Sequence, residues 1–256
     1  AQDIAFGDLL RDGAALASRF VGGIAGKPTE LSHAAVDGET FGHHHKFGEM
    51  ALAYCLESIE AGEEARLTVY GHYLEQFPPR SEVRIAENTS WSCIHGVERW
   101  RSDCGCTAGG HPEWNQKWRA PLREALDGLR EVLDPLFEKE GSKFFPDPWA
   151  ARDGYMRQIL SGENRSLSEE ATALLEMQRF SMLMYTSCGW FFDDISRIET
   201  LQILRYAARA IEIARNISGK NLETSFINAL EKVPGNTADT GNGRTAYERS
   251  IKRKTV

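Results

Sequence analysis

The stretch Ala34-Ala35-Val36-Asp37-Gly38-Glu39-Thr40-Phe41-Gly42-His43-His44-His45 decides how the rest of the chain is read. A short apolar run ends in an acid. A glycine follows, then a second acid and three consecutive histidines, and a helical pattern opens at Phe47. This order of strand, turn and helix puts polar side chains at the C-terminal end of a strand, where α/β layers gather their reactive groups.

Upstream, Phe6, Leu9, Leu10, Leu16, Phe20 and Ile24 recur at helical intervals until Gly26-Lys27-Pro28 stops the run. Downstream, residues 47–61 predict a helix so apolar around its circumference (Met50, Leu52, Tyr54, Leu56, Ile59) that cover on most sides is expected. Short strands are predicted at 32–37, 67–70 and 82–85, with a brief helix carrying Tyr73, Leu74 and Phe77 before Pro78-Pro79. Three strands are few for a barrel or a stable open sheet, so part of the layer is expected to lie outside these residues. Residues 88–116 have no period, yet Trp91, Trp100 and Trp114 argue for order there.

From Asn115 onward the pattern is helical. Trp118, Leu122, Ala125, Leu126, Leu129, Leu133 and Leu136 form one stripe, and Ser166 with Glu169 makes a capping box for a helix running to about Tyr185. A long helix through Ile198 and Ile211 stops at Gly219, the Gly/Asn/Thr-rich segment 234–243 reads as loose, and Tyr247–Lys254 reads as a basic terminal helix. The fold class expected is α+β, predominantly α: a short remnant of a parallel, barrel-type α/β layer (1–87), a Cys/His/Trp-rich functional loop (88–116) and a multi-helix domain (117–256).

A formal net charge of −7 and a pI near 5.6 argue against nucleic acid as the main partner. No uncharged apolar run approaches the roughly 20 residues that cross a bilayer, so no membrane partner is expected. Five cysteines, an odd number in a long chain, favour a reducing, cytoplasmic setting over a disulfide framework.

Gly38 can bend the chain so that Asp37 and Glu39 both face one pocket, the arrangement glycoside hydrolysis asks of two carboxylates. The bland alternative is a helix cap, or two solvated acids. His43, His44 and His45 admit three readings: metal ligands, hydrogen-bond donors to sugar hydroxyls, or packing. Sugar contact is preferred, because adjacent histidines cannot all face one metal. Cys93, His95, Cys104, Cys106 and His111 resemble scattered zinc ligands, but the spacing fits no standard finger, and buried free thiols are the preferred reading. No cofactor is therefore expected. Trp91 and Trp100 are candidate stacking platforms for sugar rings, whereas Trp118 sits on a helix stripe and reads as core. Asp193 and Asp194, after Gly189-Trp190-Phe191-Phe192, either line a pocket or cap the helix that follows.

The run Asp37-Gly38-Glu39-Thr40-Phe41-Gly42-His43 resembles the fourth conserved region of glycoside hydrolase family 57, which reads Asp-x-Glu-x-Phe-Gly-His. Residues 30–220 also resemble the uncharacterised helical domain that accompanies such catalytic domains in bacterial proteins. The resemblance implies a retaining enzyme acting on α-glucans, built as an incomplete barrel followed by helices. Asp37 would be its acid/base, with Glu39, His43, His45, Trp91, Trp100 and Asp193 around the sugar. The family's nucleophile is a Glu on an earlier strand, for which the residues before Asp37 leave no room. The isolated chain is therefore expected to lack a complete catalytic pair. Its partners would be an oligo- or polysaccharide (α-glucan) and the N-terminal catalytic half of the same polypeptide. The alternatives are a non-catalytic glycan-binding or regulatory helical module and a zinc-stabilised interaction domain.

Overall fold

The structure, a computed structural model, describes residues 1–24, 31–162 and 167–252. The fold is predominantly α. In chain order the helices are α1 (Gln2–Ala5), α2 (Gly13–Val21), α3 (Gly48–Ala61), α4 (Tyr70–Gln76), α5 (Arg119–Gly141), α6 (Pro148–Ser161), α7 (Glu169–Leu183), α8 (Cys188–Phe191), α9 (Ile198–Ser218), α10 (Glu223–Leu230) and α11 (Gly243–Lys252). The chain divides into two compact units, Ala1–Ile85 and Ala86–Val256. The segment 88–116 thus belongs with the helices that follow it.

In the first unit, the helix expected from Phe6 to Ile24 is shorter. The Asp12 carboxylate accepts the N–H groups of Ala14 (2.8 Å) and Ala15 (3.1 Å), so a new helix starts after it. The Leu9–Arg11 stretch before it is a separate 3-10 turn. The expected stop at Gly26-Lys27-Pro28 lies outside the described residues. A Cβ on Gly13 would sit 2.8 Å from Tyr54 Cβ, so its hydrogen lets α2 close on α3. Leu10, Leu16, Ala17, Cys55 and Ile59 are buried between them, with Val36 and Phe41 packed at the side.

Two expectations need correcting in this unit. Helix α3 buries Gly48, Ala51, Cys55 and Ile59 but leaves Met50 (64%) and Tyr54 (55%) exposed, so it is covered on one face only. The three predicted strands form no ladder among the described residues: 32–37 and 82–85 run unpaired, and Tyr70 opens α4. A strand is stable only when a neighbour satisfies its N–H and C=O groups, and these segments meet none.

The second unit is built on α5, α7 and α9. The α5 stripe read from the sequence is the one buried: Trp118, Leu122, Leu126, Leu129 and Leu133 are all within 5% exposure. Leu174, Leu175 and Met177 of α7 face Leu204, Ala207, Ala210 and Ala214 of α9 in the same core. Ser168 caps α7 by accepting Ala171 N–H at 3.2 Å. Ser166, the expected cap, lies outside the described residues. Gly219, at φ 70°, closes α9 in the left-handed conformation that a residue without Cβ adopts at no steric cost.

The 234–243 segment is not loose. It is a turn closed by a bridge between Pro234 and Asn242.

Pro135 lies inside α5 on an exposed position, where it removes one helical hydrogen bond. Pro135→Ala is expected to stabilise the unit by about 1–2 kcal/mol, the helix gain exceeding the added freedom of the unfolded chain. A higher urea midpoint at unchanged slope is the measurement; a lower midpoint would show the proline to be favourable there.

Candidate functional site

Residues Gly38–Thr40 form a single 3-10 turn, with Asp37 extended before it. The turn closes through Thr40 N–H to Asp37 O (3.0 Å), His44 N–H to Glu39 O (2.9 Å) and His45 N–H to Thr40 O (3.2 Å). Gly42 holds φ 102°, and Phe47, at φ 66°, turns the chain into α3. Thr40 is buried beneath the turn, while Asp37, Glu39, His43 and His44 are exposed on it. His43 and His44 meet edge to face at 5.0 Å. His45 points elsewhere: its Nε2 donates to the Ala5 carbonyl at 2.9 Å, which ties the turn to α1. A cavity of about 490 Å³ in the same unit is lined by Ile4, Leu9, Phe20 and His33 and takes in none of the motif's acids. The motif is therefore a surface turn, and Asp37, Glu39 and His43 are all exposed on it.

The second constellation lies in residues 88–116. Cys93, His95, Cys104 and Cys106 place one donor atom each within 4.8 Å of all the others. Cys93 Sγ is 3.9 Å from Cys104 Sγ, 3.7 Å from Cys106 Sγ and 4.0 Å from His95 Nδ1, and Cys106 Sγ is 3.4 Å from His95 Nδ1. Two tight turns deliver the ligands in pairs. In the first, Gly96 N–H donates to Cys93 O (3.1 Å) and Gly96 takes φ 81°; in the second, Gly105 at φ 80° separates Cys104 from Cys106. All five thiols are free. Burial works to raise the Cys93 thiol, but hydrogen bonds from the Arg99 and His95 backbones and from the Cys106 and His95 side chains outweigh it, bringing Cys93 to about 7. Burial pushes Cys104 up. His111 is not in the cluster; it stacks on Trp114 at 3.7 Å and 9°.

The loop is held by buried polar groups. Arg99 donates to Phe191 O (3.2 Å) and Thr107 O (3.3 Å). Arg119 donates to the carbonyls of Phe191 and Phe192, both at 3.2 Å, and its Nη1 lies 3.9 Å from Cys104 Sγ. Asp193, 5% exposed, accepts Ala108 N–H on both carboxylate oxygens (3.0 and 2.9 Å), so it faces this loop instead of solvent. Of the two acids it is Asp194 that serves the start of α9, accepting Ser196 N–H at 2.9 Å. Trp91 is 79% exposed, while Trp100 leans on the core and donates from Nε1 to Ser187 O at 3.3 Å. Sequence reasoning missed Arg99 and Arg119. A basic residue looks like a solvated one until the carbonyls it serves, here Phe191 O and Phe192 O at 72 to 92 residues away, are known.

A family model matches residues 114–256, described as a domain of unknown function, DUF3536. The chain belongs to the DUF3536 family. No curated protein and no solved structure gives a significant match. The DUF3536 match begins at Trp114 and takes in α5 to α11, including Arg119, Asp193 and Asp194. Neither the Asp37 turn nor the four-ligand cluster falls within it. Among the described residues no helix is long and apolar enough to cross a membrane.

Proposed function

We propose that the chain is the C-terminal portion of a retaining, α-glucan-active glycoside hydrolase or glucanotransferase resembling glycoside hydrolase family 57, working in the cytoplasm. The observation that carries this reading is the turn at residues 37–43. It combines the family's Asp-x-Glu-x-Phe-Gly-His pattern with a turn that leaves Asp37, Glu39 and His43 exposed. The DUF3536 domain after it agrees with the resemblance to the helical domain that accompanies such enzymes. The exposed apolar residues of the first unit, Met50, Tyr54, Val69, Val83 and Ile85, are the surface an N-terminal catalytic half would cover.

On this reading Asp37 is the general acid that protonates the glycosidic oxygen as the bond breaks. It is then the base that takes a proton from the attacking water, or from a sugar hydroxyl in transfer. The nucleophilic carboxylate, about 5–5.5 Å from it in a retaining site, comes from outside these residues. Glu39 and His43 hydrogen-bond sugar hydroxyls; separately, in the second unit, the exposed indole of Trp91 offers a stacking face for the C–H face of a pyranose. His45 and Asp193, each tied to a backbone group, position the segments around them.

The exposure of Trp91 also favours a second reading, glycan binding without turnover. Asp37→Asn in the longer polypeptide tests both. Hydrolysis of an α-glucan is expected to fall by about 10²–10⁴-fold with binding retained. Unchanged turnover would remove Asp37 from the mechanism. A wild-type protein that binds α-glucan but never cleaves it would establish the second reading.

A further inference from the structure

We propose that Cys93, His95, Cys104 and Cys106 bind one zinc ion in a closed, structural site that fixes the 88–116 loop. The inference is independent of the glycosidase reading.

Tetrahedral zinc with Zn–S near 2.3 Å and Zn–N near 2.0–2.1 Å separates its ligands by about 3.8 Å for sulfur pairs and about 3.5 Å for sulfur and nitrogen. The observed sulfur pairs are at 3.7 and 3.9 Å, and the sulfur–nitrogen pairs at 3.4 and 4.0 Å. These match four of the six edges of such a tetrahedron, the other two lying within 4.8 Å, and the sulfur pairs are far too long for a disulfide, whose sulfurs lie about 2.05 Å apart. Three thiolates and one imidazole are the soft and borderline donors that zinc prefers, and four protein ligands leave no position for substrate, which is the mark of a structural site.

Charge points the same way. Arg119 is fully buried and Arg99 is 5% exposed. Their hydrogen bonds go to carbonyls, and neither has an ion-pair partner among the described residues. The buried Nε of each has no hydrogen-bond partner. Two buried cations are costly unless anions balance them. The Asp193 carboxylate already acts on Arg119, and Zn²⁺ with three thiolates and a neutral imidazole would add a net charge of −1 at the ligands, the three thiol protons passing to solvent on binding. Arg119 Nη1, 3.9 Å from Cys104 Sγ, is placed to meet that charge. Zinc thus accounts both for the approach of the four ligands and for the Arg119 guanidinium beside Cys104.

The test uses the 256-residue chain, purified under reducing conditions without a histidine tag, with metal content measured by mass spectrometry. One zinc per chain is expected. Cys104→Ser and Cys106→Ser should lose it, while Cys188→Ser, which alters an exposed thiol outside the cluster, should keep it. A His43→Ala, His44→Ala double variant should also keep its zinc, separating this site from the consecutive histidines. Stripping the metal should lower Tm by roughly 10 °C. A ligand variant can lose zinc merely by unfolding, so the metal-free wild-type chain is also titrated with Co²⁺. Saturation at one equivalent, with the intense visible bands of tetrahedral cobalt thiolate, is expected. A chain that purifies without zinc and takes up no Co²⁺, that holds iron instead, or that retains zinc in both ligand variants would overturn the proposal.

Discussion

Asp194→Ala is expected to destabilise the helical unit by about 3–5 kcal/mol, each stranded donor costing about 1–3 kcal/mol. Asp194 is fully buried and accepts three hydrogen bonds: Ser196 N–H at 2.9 Å, Asn236 N–H at 2.7 Å and the Thr240 hydroxyl at 3.3 Å. The first sets the chain into α9, and the other two hold the 234–242 turn. Alanine leaves the Ser196 and Asn236 N–H groups without an acceptor, while the Thr240 hydroxyl keeps Thr237 Oγ1 at 2.8 Å. Relief from holding a buried carboxylate offsets part of that loss, and the shared network makes the terms less than additive. Asp194→Asn separates the acceptor's role from its volume. The amide has the same shape, but its NH₂ faces a donor wherever it points, so a cost of about 1–3 kcal/mol remains. All six tryptophans lie beyond residue 90, so their fluorescence reports the second unit during urea unfolding. A midpoint unchanged in both variants would show that the turn is held by something other than Asp194.

The same residues show where one-dimensional reading stops. Segment 234–243 has the composition of a loose loop, and only the fold supplies its acceptors. Asn236 reaches Asp194, Asp193 O and Asn115 O, whose positions in sequence are 42, 43 and 121 residues away. No local pattern encodes such distances. The α5 stripe was legible because amphipathic helices write their buried face at a fixed period. The division of 1–24 was not, because a single side chain, Asp12, starts a helix inside a continuous apolar pattern. The strands were predicted from apolar runs, and a run alone does not make a ladder. The Asp37 turn was legible as a turn because Gly38 and Gly42 punctuate it, yet nothing local says that His45 reaches back to Ala5. The cysteine cluster was legible as a list of ligands only. Ligands spaced 93, 95, 104 and 106 match no standard finger, and their convergence depends on two glycine turns and on the buried arginines that seat the loop.

Trp118→Ala is expected to cost about 3–5 kcal/mol, the range for removing a large buried aromatic side chain. The indole is 1% exposed and stacks on Trp190 at 6.2 Å and 18°. Leu122 to Leu133 hold the α5 backbone on one side of it, and α8 holds Trp190 on the other, so the site has little freedom to collapse and a cavity should persist. Its Nε1–H donates to Asp193 O at 3.2 Å, but that carbonyl also accepts Asn236 Nδ2–H at 2.9 Å. Removing the indole N–H therefore does not strand the carbonyl. Trp118→Phe tests that point: it keeps most of the volume and an aromatic face for the stack, loses the N–H and the second ring of the indole, and is expected to cost about 1–2 kcal/mol. The Arg119 guanidinium lies 5.5 Å from the Trp118 ring, so alanine also removes part of what shields that buried cation. If the zinc site holds Arg119 through Cys104, metal removal and Trp118→Ala should be coupled, the double perturbation costing at least 0.5 kcal/mol more or less than the sum of the two, the usual threshold for interacting residues. Strict additivity would show that Arg119 is fixed by its carbonyl partners alone.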